Sequence, residues 1–256
     1  MDVLRLRWNG SVLVDITGAP EIPLYVGDSF FLEDGKVVGY QRHLERFISS
    51  SQRQGLVRSV DTFLEKVTAT LPREGSWFPR IDLTERGELE LWIRPAPPRK
   101  ETIVLTTSAT DPRREPTIKG PDIPALNEIR VQAEEQGADD AVILDAQGRI
   151  VDGSTTCLVW VEGERVVIPP LEALRVDSIT VSILKDFLRA QGTSVEERWA
   201  TPADIQGCEL YALNALHGIR SALSWVNGPT LRVNHERLNQ WRNIYAGQTE
   251  KLPVTS

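Results

Sequence analysis

The stretch from Lys119 to Trp160 constrains the fold more than any other part of the chain. Apolar residues recur at helical spacing from Asp122 to Gln136, and Gly137 is a natural stop for that helix. Branched apolar runs and turn residues then predict three strands, at 141–144, 150–151 and 157–161. Lys119 precedes the helix and belongs to no basic run, in a chain with only six lysines. This isolated lysine is therefore a candidate for chemistry.

The same stretch resembles the core of the class IV aminotransferases, the fold type IV pyridoxal-phosphate enzymes. In that family a lysine leads into a helix, and a pattern of the type GADEALLLD..G.V.EGSTSNLF follows. This chain reads GADDAVILDAQGRIVDGSTTCLVW after its helix. Lys119 and Asp152 are 33 positions apart (152 − 119), which is the family's usual interval between its Schiff-base lysine and the carboxylate at the pyridine nitrogen.

The resemblance implies pyridoxal 5'-phosphate as the cofactor, with Lys119 as the catalytic residue that also binds it. An amine must hold the cofactor's aldehyde and later move protons, and a lysine that the substrate releases does both. A carboxylate beside the ring nitrogen keeps that nitrogen protonated, so that the ring withdraws electrons. Asp152 is expected to fill this second role.

Further site residues are carried over from shorter matches to the family. Arg46 in RHLERF matches a motif whose arginine contacts the cofactor phosphate, a role suited to a fork of donors. Arg94 in LWIRP matches a strand whose arginine lies on the substrate side. Ile179 and Thr180 match a motif in which amides at a helix start bind the phosphate. Asn214 and Ala215 match a second set of phosphate-side positions. His217 and Arg220 are expected to face the substrate.

Several positions depart from the family pattern. Asp152 stands where the family usually has glutamate, so one methylene is missing. Cys157 replaces a common asparagine, and Ser178 and Val181 replace the glycine and arginine of the family's Gly-Ile-Thr-Arg motif.

The resemblance implies an α/β (α+β) fold of two domains and, by family habit, a homodimer. A smaller N-terminal domain of sheet and helix is expected at 1–107, and a larger, barrel-like domain carrying the lysine at 108–256. The chain is expected to begin with a hairpin, because Leu4–Trp8 alternates and Asn9-Gly10 is a two-residue turn signal.

Net charge and composition restrict the kinds of partner that the chain is expected to bind. A net charge of −7 argues against nucleic acid, and no apolar run is long enough for a membrane span. Without a signal-like N-terminus, a cytoplasmic location is expected. The two cysteines and three histidines show no zinc spacing, so no metal is expected. The expected partner is a small-molecule amine or amino acid.

The leading hypothesis is a 4-amino-4-deoxychorismate lyase, which would release pyruvate and 4-aminobenzoate in folate biosynthesis. The sequence Asn214-Ala-Leu216 is closer to those lyases than to the Gly-Thr-Ala of branched-chain enzymes. A branched-chain or D-amino acid aminotransferase is the first alternative, favoured by Arg94 and the Gly-Ser-Thr loop. A non-catalytic relative that lacks the cofactor is the second, motivated by Asp152, Ser178 and Val181.

Overall fold

A computed structural model describes residues 3–55 and 60–253. The described chain forms two compact units. The first comprises residues up to 98, a short return at 118–121 and the residues from 248 onward; the second comprises 99–117 and 122–247. These ranges differ from the expected domains at 1–107 and 108–256 in two ways. Residues 99–107 belong to the second unit, and Lys119 belongs to the first.

The first unit begins with strands that build most of its two sheets. Its elements in chain order are β1 (Leu4–Trp8), β2 (Leu13–Asp15), β3 (Leu24–Ser29), β4 (Leu32–Glu33), β5 (Lys36–Val38), α1 (Tyr40–Arg53), α2 (Val60–Thr70), β6 (Ser76–Trp77), β7 (Arg80–Thr84) and β8 (Leu89–Ile93). Five strands form one sheet in the order β2-β1-β8-β7-β3, and all of its pairs are antiparallel.

The five-stranded sheet has one apolar face and one charged face, as the period of two in its strands requires. On β8, Leu89, Leu91 and Ile93 join the hydrophobic core, to which α1 and α2 contribute Phe47 and Phe63. The intervening Glu90 and Trp92 lie on the other face, where Glu90 accepts hydrogen bonds from two arginines of β1. Helices therefore cover the apolar face of this sheet.

The second unit contains the remaining helices and one large sheet. Its elements are β9 (Thr102–Thr107), α3 (Ile123–Glu135), β10 (Asp140–Leu144), β11 (Ile150–Gly153), β12 (Cys157–Glu162), β13 (Arg165–Ile168), α4 (Ile179–Ala190), β14 (Val195–Glu197), β15 (Glu209–Asn214), β16 (Gly218–Trp225) and α5 (His235–Gly247). The sheet order is β11-β10-β9-β16-β15-β12-β13-β14. Its core includes Leu105, Val142 and Trp160.

Strand pairing explains why 99–107 belongs to the second unit. β9 lies between β10 and β16 and is parallel to both, so it occupies a central position in the larger sheet. After α5 the chain returns to the first unit as β17 (Thr249–Lys251), which pairs with β5 in a sheet of order β17-β5-β4-β6. No helix in the described part of the chain is both long and apolar enough to cross a membrane.

Candidate active site

Lys119 lies in a short segment fixed against β3 by backbone contact. The Gly27 amide donates to the Lys119 carbonyl over 2.7 Å. Gly120 has a φ of +133°, and a Cβ there would overlap the Gly27 nitrogen and lie 2.7 Å from the Val26 carbonyl carbon. Only glycine allows this approach. The lysine is half-buried, and its backbone position is tightly defined.

Beside this segment, the buried Asp28 organises two side chains of α1. Its Oδ1 lies 2.8 Å from His43 Nδ1, and Arg46 donates to both carboxylate oxygens, from Nε over 2.7 Å and from Nη2 over 2.9 Å. Burial alone would raise the pKa of Asp28, but the Arg46 and His43 partners hold that pKa well below its usual range. Asp28 is therefore an anion that orients Arg46, the predicted phosphate ligand.

His43 completes this cluster as a neutral ring. Burial lowers the pKa of His43, and the positive charges of Arg46 and Lys119 lower it further against the opposing effect of Asp28. A neutral His43 that donates from Nδ1 to the Asp28 anion has a lone pair on Nε2, and Nε2 is buried with no hydrogen-bond partner in the described structure. The charge on Lys119 reaches His43, so the first unit brings Lys119 and Arg46 into one electrostatic cluster.

Arg94 follows β8 on the charged side of the five-stranded sheet. Its Nε donates to the Phe78 carbonyl over 3.1 Å, and its guanidinium lies 5.2 Å from the centre of the Phe78 ring. Burial and the nearby charge of Arg80 lower the pKa of Arg94 to about 10, so it stays a cation at neutral pH. Its terminal nitrogens donate to none of the described residues, which suits a role in binding a carboxylate.

Asp152, in β11 of the second unit, is a buried carboxylate with an unused acceptor. Its Oδ1 is buried and has no hydrogen-bond partner among the described residues. Burial raises the pKa of Asp152 to about 6, although the cations Arg175 and Arg113 act in the opposite direction. Such an oxygen can accept one hydrogen bond from an incoming N–H group.

Cys157, which replaces a common asparagine of the family motif, places a thiol near Asp152. Cys157 is buried, and its Sγ donates to the Val176 carbonyl over 3.9 Å; burial raises the pKa of this thiol, and the charge of Asp152 raises it further. The thiol is therefore neutral at physiological pH and adds no charge beside Asp152.

The start of α4 contains Ile179 and Thr180, the two residues predicted to bind the phosphate through their amides. Ser178 caps the helix, because its hydroxyl accepts a hydrogen bond from the Val181 amide over 3.3 Å. The Thr180 hydroxyl is buried 3.4 Å from the Tyr245 hydroxyl. The Ile179 and Thr180 amides remain in the first turn, where amides lack helical acceptors and favour anions.

Asn214 and Ala215 lie where β15 turns into β16. The Asn214 side chain donates to the Thr155 carbonyl over 3.2 Å and accepts from the His217 amide over 2.8 Å. These bonds connect the turn of Asn214 and Ala215 with the loop that follows Asp152. The second unit therefore brings those predicted residues into one hydrogen-bonded region.

His217 is a neutral hydrogen-bond donor close to several cationic side chains. Its Nδ1 accepts from the Lys100 amide over 3.1 Å, so the ring proton resides on Nε2. Burial and the charges of Arg220, Arg99 and Lys100 lower the pKa of His217 to about 4. Arg220 is buried, and its Nε has no partner within the described ranges; burial lowers the pKa of Arg220, and the charges of Asp140 and Asp139 act in the opposite direction. The opposite charges that act on Arg220 are therefore carboxylates of the protein itself.

Three residues of these clusters escaped prediction from the sequence: Asp28, Asp140 and Arg175. An acid within an otherwise apolar strand, as in VGDSFF, was the available signal for Asp28. Arg175 gave no local signal. In the parts of the chain that are described, no group of three or more His, Cys, Asp or Glu side chains could hold a metal ion.

The sequence profile of the amino-transferase class IV family matches residues 26–225. The chain belongs to this family. Class IV aminotransferases and their lyase relatives use pyridoxal phosphate, so the chain is a member of a family of enzymes that depend on this cofactor. No curated protein matches this class IV sequence significantly.

Solved structures similar to this class IV chain include both transaminases and a lyase. A branched-chain aminotransferase from Thermoproteus uzoniensis, solved with norvaline, is 19% identical, with 96% of each chain covered and a TM-score of 0.79. A putative 4-amino-4-deoxychorismate lyase from Legionella pneumophila is 16% identical, with 91% of this chain and 97% of that chain covered and a TM-score of 0.76. A hypothetical aminotransferase from Mycobacterium tuberculosis in a pyridoxal-phosphate-bound form is 14% identical, with 96% and 98% covered and a TM-score of 0.78. These similarities confirm the expected α/β fold.

The chain's own residues fit this cofactor. The buried Asp152 oxygen without a described partner would suit a protonated ring nitrogen, and the Lys119 amine would suit the aldehyde. The guanidinium of Arg46 and the amides at the start of α4 would suit the phosphate.

Proposed function

We propose that the chain is a pyridoxal-phosphate lyase of the 4-amino-4-deoxychorismate type, which releases pyruvate and 4-aminobenzoate. The observation that carries this choice is the turn of Asn214, Ala215 and Leu216, whose sequence is closer to those lyases than to the Gly-Thr-Ala of branched-chain enzymes. Asn214 uses both ends of its amide, toward Thr155 and His217, so its side chain is held in one orientation. The similarity in fold to a putative lyase of this kind supports the proposal.

In this proposal, each group has a separate task. Bound pyridoxal phosphate supplies an electron sink for the carbon that carries the substrate's amino group. Lys119 would hold the aldehyde of the resting cofactor, and its Nζ, once free, would take the proton from that carbon. The bond between the ring carbon and the enolpyruvyl oxygen would break, with its electron pair leaving on the oxygen, and the remaining ring would become aromatic. The departing enolpyruvate would take up the proton that Lys119 carries and become pyruvate. Asp152 would keep the cofactor nitrogen protonated, and Arg46 with the amides of Ile179 and Thr180 would hold the phosphate.

Substrate carboxylates need cations that reach the ligand. Arg94 has terminal nitrogens that donate to no described residue and remains charged at neutral pH. We assign it to a substrate carboxylate. His217 is assigned to a neutral hydrogen bond, because its Nε2 carries the proton.

An aminotransferase of branched-chain or D-amino acids is the second candidate. The same Arg94 would bind the carboxylate of an oxo acid, and the structural similarity to a branched-chain aminotransferase supports this reading equally well. The two candidates differ in product, because a transaminase leaves the amino group on the cofactor and a lyase does not.

The test begins with the visible spectrum of purified protein with added pyridoxal phosphate, before and after borohydride. A borohydride-sensitive band is expected in the wild type and in Lys36→Ala, since Lys36 is an exposed lysine of the same unit, and is expected to vanish in Lys119→Ala. Aminodeoxychorismate and a panel of amino acids are then supplied. Release of 4-aminobenzoate supports the lyase, whereas pyridoxamine phosphate formed from an amino acid supports the transaminase. No band in the wild type contradicts both.

A further inference from the structure

Asp140, at the start of β10, is a fully buried carboxylate to which the proposed chemistry gives no role. Its Oδ2 accepts from the hydroxyls of Thr155 and Thr156, each over 2.9 Å, and from the Thr155 amide over 3.3 Å. Its Oδ1 accepts from the Ser154 hydroxyl and from the Ala141 amide. Three successive loop residues therefore donate to one side chain.

The donors around Asp140 use both of its carboxylate oxygens as acceptors. Five hydrogen bonds converge on its two oxygens, from three hydroxyls and two amides. An asparagine would present an NH₂ group to one set of these donors, which would leave buried donors unsatisfied. The guanidinium of Arg220 is also buried, and the nearby Asp140 carboxylate acts to raise the pKa of Arg220 against the effect of burial.

The loop held by Asp140 starts directly after Asp152. Gly153 leads it, and a Cβ at this position would overlap the Thr156 hydroxyl and lie 3.2 Å from Asp140 Oδ2. The Gly153 amide donates to the Thr156 carbonyl over 2.7 Å, which closes the loop into a tight turn. The end of β11 that carries Asp152 thus continues into a turn whose shape Asp140 determines.

The other side of the same loop supports Asn214. Its side-chain amide donates to the carbonyl of Thr155, whose own amide and hydroxyl both bind Asp140. A shift of Thr155 would therefore move the acceptor of Asn214. Asp140 is one hydrogen-bonded step from the segment of Asp152 and two from Asn214.

We propose that Asp140 is a positioning residue, which holds the loop 153–156 and through it sets both Asp152 and Asn214 for the cofactor. This inference rests on the proposed use of pyridoxal phosphate by those two residues. Its chemical basis is that a binding group is precise only when the residues behind it are fixed by packing and hydrogen bonds. The role is distinct from the proton transfer assigned to Lys119.

The experiment compares Asp140→Asn with Asp145→Asn. Asp145 lies on the same hairpin and also orders a loop, because its Oδ1 accepts from the Gln147 and Arg149 amides, each over 2.9 Å. Each variant is measured by amide hydrogen exchange without cofactor and by titration of the visible band with pyridoxal phosphate.

In Asp140→Asn, exchange is expected to accelerate at residues 153–155, and the dissociation constant for pyridoxal phosphate to rise about tenfold or more, as when a buried supporting bond to a binding group is lost. In Asp145→Asn, exchange should accelerate at 147–149 with an unchanged dissociation constant. If Asp140→Asn does not fold, Thr155→Val removes one hydroxyl donor and should give a smaller effect in the same direction.

The outcomes separate the two proposals. Normal loop exchange or a wild-type dissociation constant in Asp140→Asn overturns the positioning role while the cofactor function stands. A wild-type protein without any cofactor band overturns the proposed function, and the positioning role with it.

Discussion

Asp28 in the first unit and Asp152 in the second are both buried strand carboxylates, yet their surroundings are opposite. Asp28 accepts hydrogen bonds from His43 and from two nitrogens of Arg46. Asp152 keeps one buried oxygen without a partner in the described chain. The pKa of Asp28 is accordingly lowered by its partners, whereas burial raises the pKa of Asp152 to about 6.

Under the proposed function, this contrast separates a carboxylate that supports other residues from one that would bind a ligand. A fully bonded anion such as Asp28 stabilises the fold and orients its partners. A buried, incompletely bonded carboxylate costs stability, and sites that bind ligands are where such costs are retained. The following predictions test whether the two aspartates differ in this way.

The largest effect is expected for Asp28→Asn. It leaves Arg46 without its anionic partner and His43 without an ionised acceptor, so the free energy of unfolding should fall by about 3–5 kcal/mol. Urea unfolding of the cofactor-free protein measures this. Asp61→Asn on α2, at an exposed helix position, is the control and should change stability by less than about 1 kcal/mol. Equal stability of Asp28→Asn and wild type would contradict the supporting role.

Asp152 and Asp28 should affect the pH dependence of the free energy of unfolding in opposite directions. The pKa of Asp152 is raised from 3.8 to about 6 in the folded protein, so the unfolded state gains by ionising first as pH rises. Stability is therefore lost between about pH 4 and pH 6, by roughly 3 kcal/mol at most, and stays lost above that range. Asp28 behaves in reverse, because its lowered pKa gives stability that is present above pH 4 and lost on acidification.

Asp152→Asn isolates that contribution. The stability of this variant relative to wild type should increase as pH rises from 4 to 7 in cofactor-free protein, because asparagine cannot ionise. A pH-independent difference between the two proteins would show that Asp152 has an ordinary pKa.

With cofactor and substrate, the same Asp152→Asn variant is expected to lose activity by at least about a hundredfold. Asparagine cannot keep the ring nitrogen protonated, whereas Lys119 can still bind the aldehyde. The borohydride-sensitive band should therefore survive although turnover falls. Asp145→Asn serves as the control for turnover. Wild-type turnover in Asp152→Asn would remove this residue from the cofactor site.

The parts of the fold that depend on local sequence patterns could be predicted, and those that depend on distant contacts could not. The helix and strands between Lys119 and Ile168 follow the predicted order, because each depends on periodicity within a few residues. The partnership of Asp28 with α1 depends on packing across fifteen positions, and no local pattern encodes it. The placement of β9 failed for the same reason, since its parallel neighbours β10 and β16 are distant in sequence.

The first hairpin shows a local signal that the structure modifies. Asn9-Gly10 predicted a two-residue turn, but Trp8 pairs with Leu13, so four residues form the connection. The Asn9 side chain accepts from the amides of Ser11 and Val12, each over 3.0 Å. Side-chain bonding to the backbone has replaced the tighter turn.

The smallest predicted effect concerns how Lys119 is held, by backbone contact rather than by a carboxylate. Gly120→Ala introduces a Cβ that overlaps the Gly27 nitrogen, at a φ of +133° that alanine rarely adopts. We expect a loss of about 1–3 kcal/mol in stability, and a weaker cofactor band because the segment must move. Gly137→Ala is the matched control. It also has positive φ, +77°, but meets no atom within 4 Å, so it should carry only the conformational cost, about 1 kcal/mol, with an unchanged band. Equal losses in the two variants would mean that the contact between Gly120 and β3 adds nothing to the placement of Lys119.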